Sequence, residues 1–208
     1  MYRTEQEAFW SGEFGDAYIG RNTGIAQQAS VMARMARILA RTKGVESALE
    51  LGANVGNNLV ALRSLLPHAR LEAVEINETA FKRLREIPGV TAHHGSILDY
   101  RQKDPVDLAF TSGVLIHINP NELPKVYGTL YEASTRYVMV CEYYNPAPVE
   151  VPYRGHAGRL FKRDFAGELM AQYPDLELID YGFVYHRDPV FPGDDLTWFV
   201  MEKRGRTG

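Results

Sequence analysis

The stretch Ala48–Asn58, ALELGANVGNN, decides the fold. An apolar run over residues 45–50 breaks at Gly52, and a helix-compatible run carries on to Pro67. The pattern predicts a buried strand, a glycine turn and a helix, so bare backbone N–H groups face a ligand at the turn. Gly52 would let the backbone approach that ligand, and Gly56 would let the helix pack near its strand. Asn54 stands where glycine is common, and asparagine is among the few residues that tolerate positive φ. Phosphate is the usual ligand of such turns. Here the turn opens with a carboxylate, Glu50, which repels a pyrophosphate and suits an ammonium group.

Outward from this turn the chain alternates. Strands are predicted over residues 70–75, 90–94, 106–111 and 137–142, with helices over 78–86 and about 121–134 between them. A long amphipathic helix, Ile25–Thr42, precedes the first strand. This alternation implies crossover units and an α/β fold with a mostly parallel sheet covered on both faces. Residues 143–159, rich in Pro, Gly and aromatics, predict no regular element. A helix over 163–172 and β-like runs over 176–186 and 196–203 follow, and the turn-rich RDPVFPGDD between the two runs implies a closing antiparallel hairpin. The division expected is one domain: residues 1–44 an N-terminal lid and helix, 45–142 a ligand-binding core, 143–208 a substrate-binding insertion and the hairpin. The residues after Lys203 read as a frayed tail.

Composition narrows the partners. The chain has 208 residues, 45% hydrophobic and 24% charged, which suits one globular domain. A net charge of −3 without a basic tract disfavours nucleic acid. The lone Cys141 excludes an internal disulfide and suits a reducing cytoplasm. The start has no signal-peptide layout, and no apolar run approaches the roughly 18 residues that span a bilayer. A soluble, cytoplasmic protein with a small-molecule substrate is expected; the oligomeric state is not legible.

Two further strand ends agree with the first. Glu75 lies 23 residues beyond Gly52, inside AVEIN, where a carboxylate can accept hydrogen bonds from both ribose hydroxyls of a nucleoside. Gly95, Ser96 and Ile97 follow the third strand, Ser96 suited to an adenine edge and Ile97 to its face. A nucleoside without phosphate and with a cationic end is S-adenosylmethionine.

With ELGANVG, VEIN and GSILD in this order, residues 45–142 resemble the class I S-adenosylmethionine-dependent methyltransferases, departing from their E-x-G-x-G-x-G turn at Asn54. The resemblance implies a Rossmann-like seven-stranded sheet with a C-terminal antiparallel hairpin, and S-adenosylmethionine as cofactor with no metal. It implies cofactor contacts from Glu50, Gly52, Ala53, Asn54 and Gly56, from Glu75, Ile76 and Asn77, and from Gly95, Ser96 and Ile97. Ser112, Gly113 and Val114, after the fourth strand, are expected to line the cofactor as well. FWSGEFGDAYIGRN, GVLIHINPNELPKVY and EYYNPAPVEVPYRGHAGRLFKRDFAGELM make the chain similar to the pseudaminic acid biosynthesis-associated methylases, which implies a nonulosonic-acid or related sugar substrate.

Candidate catalytic and substrate residues follow from position. His117 is either the general base or a ring satisfying local backbone groups, and Tyr144 is a second candidate to assist a hydroxyl. Glu142, Tyr143 and Asn145 share the rim after the fifth strand. Tyr153, Arg154, His156 and Arg159 offer an anion clamp, or else form a solvated basic loop; Lys162 and Arg163 read as the latter. Phe9, Trp10, Phe14 and Tyr18, interleaved with Gly12 and Gly15, make a poor helix and suit a lid over a cleft; Trp10, Tyr18 and Arg21 are expected at the cofactor. No histidine or cysteine spacing suits a metal. The expectation is O-methylation of a sugar. Its rivals are an N-methyltransferase of a small amine or heterocycle and a non-catalytic cofactor-binding regulator; a dehydrogenase is disfavoured by Glu50.

Overall fold

A computed structural model of the chain describes residues 2–20 and 25–205. Seven strands form the central sheet: β1 (Ser47–Leu51), β2 (Arg70–Glu75), β3 (Val90–His94), β4 (Val106–Ser112), β5 (Ser134–Glu142), β8 (Leu176–Val184) and β9 (Leu196–Lys203). A separate two-stranded ribbon, β6 (Val149–Glu150) with β7 (Phe161–Lys162), lies in the insertion after β5. The order across the main sheet is β3-β2-β1-β4-β5-β9-β8, with β9 antiparallel to both its neighbours and the remaining pairs parallel. The α/β sheet with its closing hairpin is therefore as the sequence pattern implies. Strand order reverses between β1 and β4, the place where a sheet of this kind opens a crevice beyond its carboxyl ends.

Helix α3 (Ile25–Leu39) precedes β1, α4 (Asn57–Leu65) and α5 (Glu78–Leu84) connect the first strands, and α6 (Leu123–Ala133) and α7 (Phe165–Gln172) the later ones. Two apolar clusters, one on each face, fill the space between sheet and helices. One joins Leu49, Leu51 and Val138 to Tyr127 and Leu169; the other joins Ala48, Phe110 and Met139 to Met35 and Leu62. Each central strand is thus buried on both sides, which is why these strands read as nearly unbroken apolar runs. No helix among the described residues is long and apolar enough to cross a membrane.

Residues 2–19 depart from expectation. They are not an irregular lid but two short helices, α1 (Glu5–Ser11) and α2 (Glu13–Ile19), broken at Gly12. A reciprocal cap starts α1, with Thr4 and Glu7 satisfying each other's backbone N–H groups. Gly15 is buried where the pair packs. A Cβ there would lie 1.9 Å from the Trp10 carbonyl oxygen, so glycine is required by contact rather than by backbone conformation. The long helix predicted to Thr42 ends at Leu39, and the one predicted from about Asn121 begins at Leu123 after a single 3₁₀ turn, Pro120–Glu122.

Candidate active site

A cavity of about 260 Å³ opens over the carboxyl ends of β1, β2 and β4 and runs to the β8–β9 loop. Its floor is the first turn. Gly52 and Gly56 have φ of 77° and 83°, and Asn54 takes the left-handed region at φ 50°, as its side chain permits. Gly52 lines the cavity, and each glycine also meets a neighbour that the sequence did not show. A Cβ on Gly52 would strike Val114 Cγ2 at 2.7 Å, and one on Gly56 would strike Ile87 Cδ1 at 2.4 Å. Gly52 therefore lets the segment after β4 close onto the turn, and Gly56 lets the end of α5 pack against α4. Ala53 lines the cavity beside them, while Gly56 does not.

Glu50 is 1% exposed. Asn58 Nδ2 donates to its Oε1 at 2.5 Å, and Arg34 Nη2 donates to Asn58 Oδ1 at 2.8 Å. Burial pushes the Glu50 carboxyl up to about 8, against the lowering effects of Asn58 and Arg34. Its Oε2 is buried with no partner among the described residues. So are Asn54 Oδ1, Arg34 Nε and Trp10 Nε1, and all four residues line the cavity. Buried polar atoms left unpaired in one cavity mark a place for a polar ligand.

At the end of β2, Glu75 accepts the backbone N–H of Asn54 and that of Asn77, each at 2.7 Å. Burial pushes its carboxyl up while those N–H groups pull it down. Ile76 and Asn77 line the same wall. Asn77 caps α5, and its Nδ2 donates to Asp16 at 3.0 Å, so it also moors the N-terminal helices. Ser96 hydrogen-bonds Glu7 of α1, and both line the cavity with Ile97; Gly95 lies outside the lining. The helical pair α1–α2 thus roofs the site and brings Trp10 and Tyr18 into its wall. Arg21 lies outside the described residues.

Ser112, Gly113 and Val114 line the cavity below the roof. Glu142, expected at the substrate, is instead 2% exposed and outside the lining. It accepts from the backbone N–H groups of Val114, Leu115 and Ile116 and from the Thr111 hydroxyl, at 3.1, 3.1, 3.4 and 3.1 Å. Burial pushes it up to about 7. Glu142 holds the segment that ends in His117.

His117 is 8% exposed and lines the cavity, packed against the rings of Trp10 and Tyr153. Its Nδ1 donates to the Arg159 carbonyl at 2.6 Å, leaving Nε2 as an acceptor. Burial lowers its pKa to about 4, so the ring is neutral at pH 7 and a weak base.

The insertion divides. Tyr143 and Tyr153 line the cavity; Arg154, His156, Arg159 and Asn145 do not. Arg159 pairs with Glu5 at 3.3 Å and lies over the Phe9 ring. His156 packs on Phe9 and Phe14, and exposed Arg154 lies over the Tyr153 ring. Asn145 donates to the Ala147 carbonyl at 2.6 Å. No anion clamp forms from these side chains, because a loop's spacing does not say which way each residue turns. Tyr144, 43% exposed, lies in a shallow depression with Arg163 and Phe165, away from the cavity. Sequence reasoning missed Arg34, Asn57 and Asn58 at the floor, Glu7 in the roof and Asp194 at the β8–β9 end. Among the described residues no group of His, Cys, Asp or Glu is arranged to hold a metal.

No family model and no curated protein matches the sequence, and the resemblance to the pseudaminic acid methylases gains no support there. Solved structures do match. Magnesium protoporphyrin IX methyltransferase from Synechocystis PCC 6803, with bound SAH, superposes with a TM-score of 0.71 at 12% identity, covering 96% of this chain and 100% of that one. CalS10, an amino pentose methyltransferase from Micromonospora echinaspora, gives 0.62 at 15% identity over 92% and 97% of the two chains. Mitomycin 7-O-methyltransferase gives 0.67 at 12% identity over 96% of this chain; this chain spans 61% of that protein's length. At such identities the likeness is one of fold, and the fold is that of the class I methyltransferases.

Proposed function

We propose that this chain is an S-adenosylmethionine-dependent methyltransferase acting on a small hydroxyl-bearing molecule. The observation that carries the reading is Glu50, wholly buried beside the glycine turn with one oxygen unpaired, at the floor of a cavity whose next strand end presents Glu75. The residues fit the cofactor. Glu50 would hold its ammonium, Arg34 its carboxylate, Glu75 its ribose hydroxyls, and Ser96 and Ile97 its adenine. Bound there, S-adenosylmethionine supplies a methyl group on a sulfonium, activated for in-line displacement.

The chain's own work is then positioning and exclusion of water. Helices α1 and α2 cover the site, and Ser112, Gly113 and Val114, the last held by Glu142, set its middle wall. His117 Nε2 is placed to accept a hydrogen bond from an acceptor hydroxyl. With its pKa near 4 it orients that group and does not serve as a strong base. A nitrogen acceptor that is already unprotonated needs little or no base, and this low basicity is compatible with the N-methyltransferase reading. The finer assignment, a sugar, is supported by the sequence segments quoted above and by the phenol-lined acceptor end, whose Asp194 argues against the carboxylate of a nonulosonic acid.

The experiment is incubation with methyl-labelled cofactor and a small-molecule extract of the protein's own cells, followed by mass spectrometry. A labelled small molecule is expected. Absence of any labelled product, with no cofactor bound, would overturn the reading.

A further inference from the structure

The wall of the cavity beyond Val114 is built from Trp10, His117, Tyr143, Tyr153 and the β8–β9 loop residues Pro192 to Asp194. Four kinds of group meet there. The first is aromatic: the rings of Trp10 and Tyr153 pack against His117. Tyr143 belongs to the same group, its phenol pushed up to about 12 by burial and then by Asp194, Tyr18 and Tyr153, all near enough to act on it. The second is a neutral acceptor, His117 Nε2, on a side chain more than nine-tenths buried and bonded only through Nδ1 to described residues. The third is a buried donor, Trp10 Nε1, with no partner among the described residues. The fourth is the carboxylate of Asp194, which makes no ion pair with any described residue, whereas its neighbour Asp195 pairs with His186 at 2.9 Å.

The cations near this end lie outside the lining. Among the described residues, the only Arg or Lys lining the cavity is Arg34, at the Glu50 end. Arg159 is taken by Glu5, and Arg163 by Glu168 at 2.7 Å. Arg154 and Lys162 lie over the rings of Tyr153 and Tyr143 without lining the cavity. An anionic molecule entering this end finds a carboxylate and the negative faces of aromatic rings. A cation finds both attractive.

The geometry points to an acceptor that carries a protonated amine among hydroxyl groups, its ammonium held by Asp194 and the tyrosine rings and its hydroxyls by His117 and Trp10. This rests on the methyltransferase reading and deepens it by naming the charge of the substrate. It replaces the carboxylate or phosphate that an arginine clamp would have implied.

The test uses three probes of one skeleton that differ in charge: glucosamine, glucose and glucuronate. Saturation-transfer NMR on the whole protein, with and without S-adenosylhomocysteine, reads their binding. Transfer is expected to rank glucosamine above glucose, with glucuronate weakest. Asp194→Asn, on an exposed loop, should weaken glucosamine by about three- to fivefold, the worth of one exposed ion pair. Asp194→Lys should reverse the ranking of glucosamine and glucuronate. An equal or inverse ranking in the unaltered protein, or no transfer to glucosamine, would overturn the inference. Calorimetry with S-adenosylhomocysteine separates the two readings. Failure to bind it sinks the methyltransferase proposal, while cofactor binding with glucuronate preferred sinks this inference alone.

Discussion

The Oε1 of Glu142 lies 3.1 Å from the amide nitrogen of Val114, and the same carboxylate takes the next two amides as well. A single side chain at the end of β5 thus satisfies three consecutive N–H groups after β4, which no regular element would satisfy. Glu142→Leu should leave those donors buried and unpaired, at a cost of about 1–3 kcal/mol or more. Thermal denaturation should show a clear fall in Tm, with weakened S-adenosylhomocysteine binding alongside. An unchanged midpoint would show that the segment holds itself.

Glu50 should make cofactor binding depend on pH. Its carboxyl, held near 8 by burial, is mostly protonated at pH 7 in the empty cavity. A ligand ammonium must draw that proton off, so affinity should rise with pH up to about 8. Calorimetry at pH 7 in buffers of differing ionisation enthalpy should report release of about one proton, lost in Glu50→Gln. The same raised pKa acts on the empty protein. Its stabilising share is complete below the unfolded value of 4.5 and is lost as pH rises through 8.

His117 should stay neutral well into the acid range. Its folded pKa near 4 lies below the ordinary 6.5, so the neutral ring costs nothing above pH 6.5 and destabilises progressively as pH falls through 4. Its imidazole NMR signals should hold their neutral shifts down to about pH 5. A midpoint near 6.5 would place the ring in water and restore its claim to be a general base.

Gly15 should tolerate no side chain. Gly15→Ala forces a Cβ to within 1.9 Å of the Trp10 carbonyl oxygen, so α1 and α2 must part. Trp10 fluorescence, read in a Trp198→Phe background, should shift to the red, and S-adenosylhomocysteine affinity should fall. Native fluorescence with native affinity would show that the roof is not part of the site.

What the sequence disclosed was what periodicity and fixed spacing encode. The glycine turn, the carboxylate of Glu75 at the following strand end and the β8–β9 hairpin are of that kind, because buried strands and crossover units impose their patterns directly on residue order. Helices α1 and α2 were missed because each is only seven residues long and they break at Gly12, too short for a helical period to show. The one available signal was the pair Thr4 and Glu7, three residues apart as a reciprocal cap requires. The substrate end was misread for a different reason. Arg154, His156 and Arg159 form a basic run in sequence, and only the folded loop shows them paired or stacked outside the cavity. Asp194, hidden in a turn-rich stretch, carries no local signal.

The central claim is that the rim around Glu50 and Glu75 was built for S-adenosylmethionine, and direct titration with S-adenosylhomocysteine by calorimetry tests it. Saturable binding at one site is expected, weakened by about tenfold or more in Glu75→Ala, which loses a charged hydrogen-bond acceptor. No binding by the unaltered protein, or undiminished affinity in that variant, would contradict it.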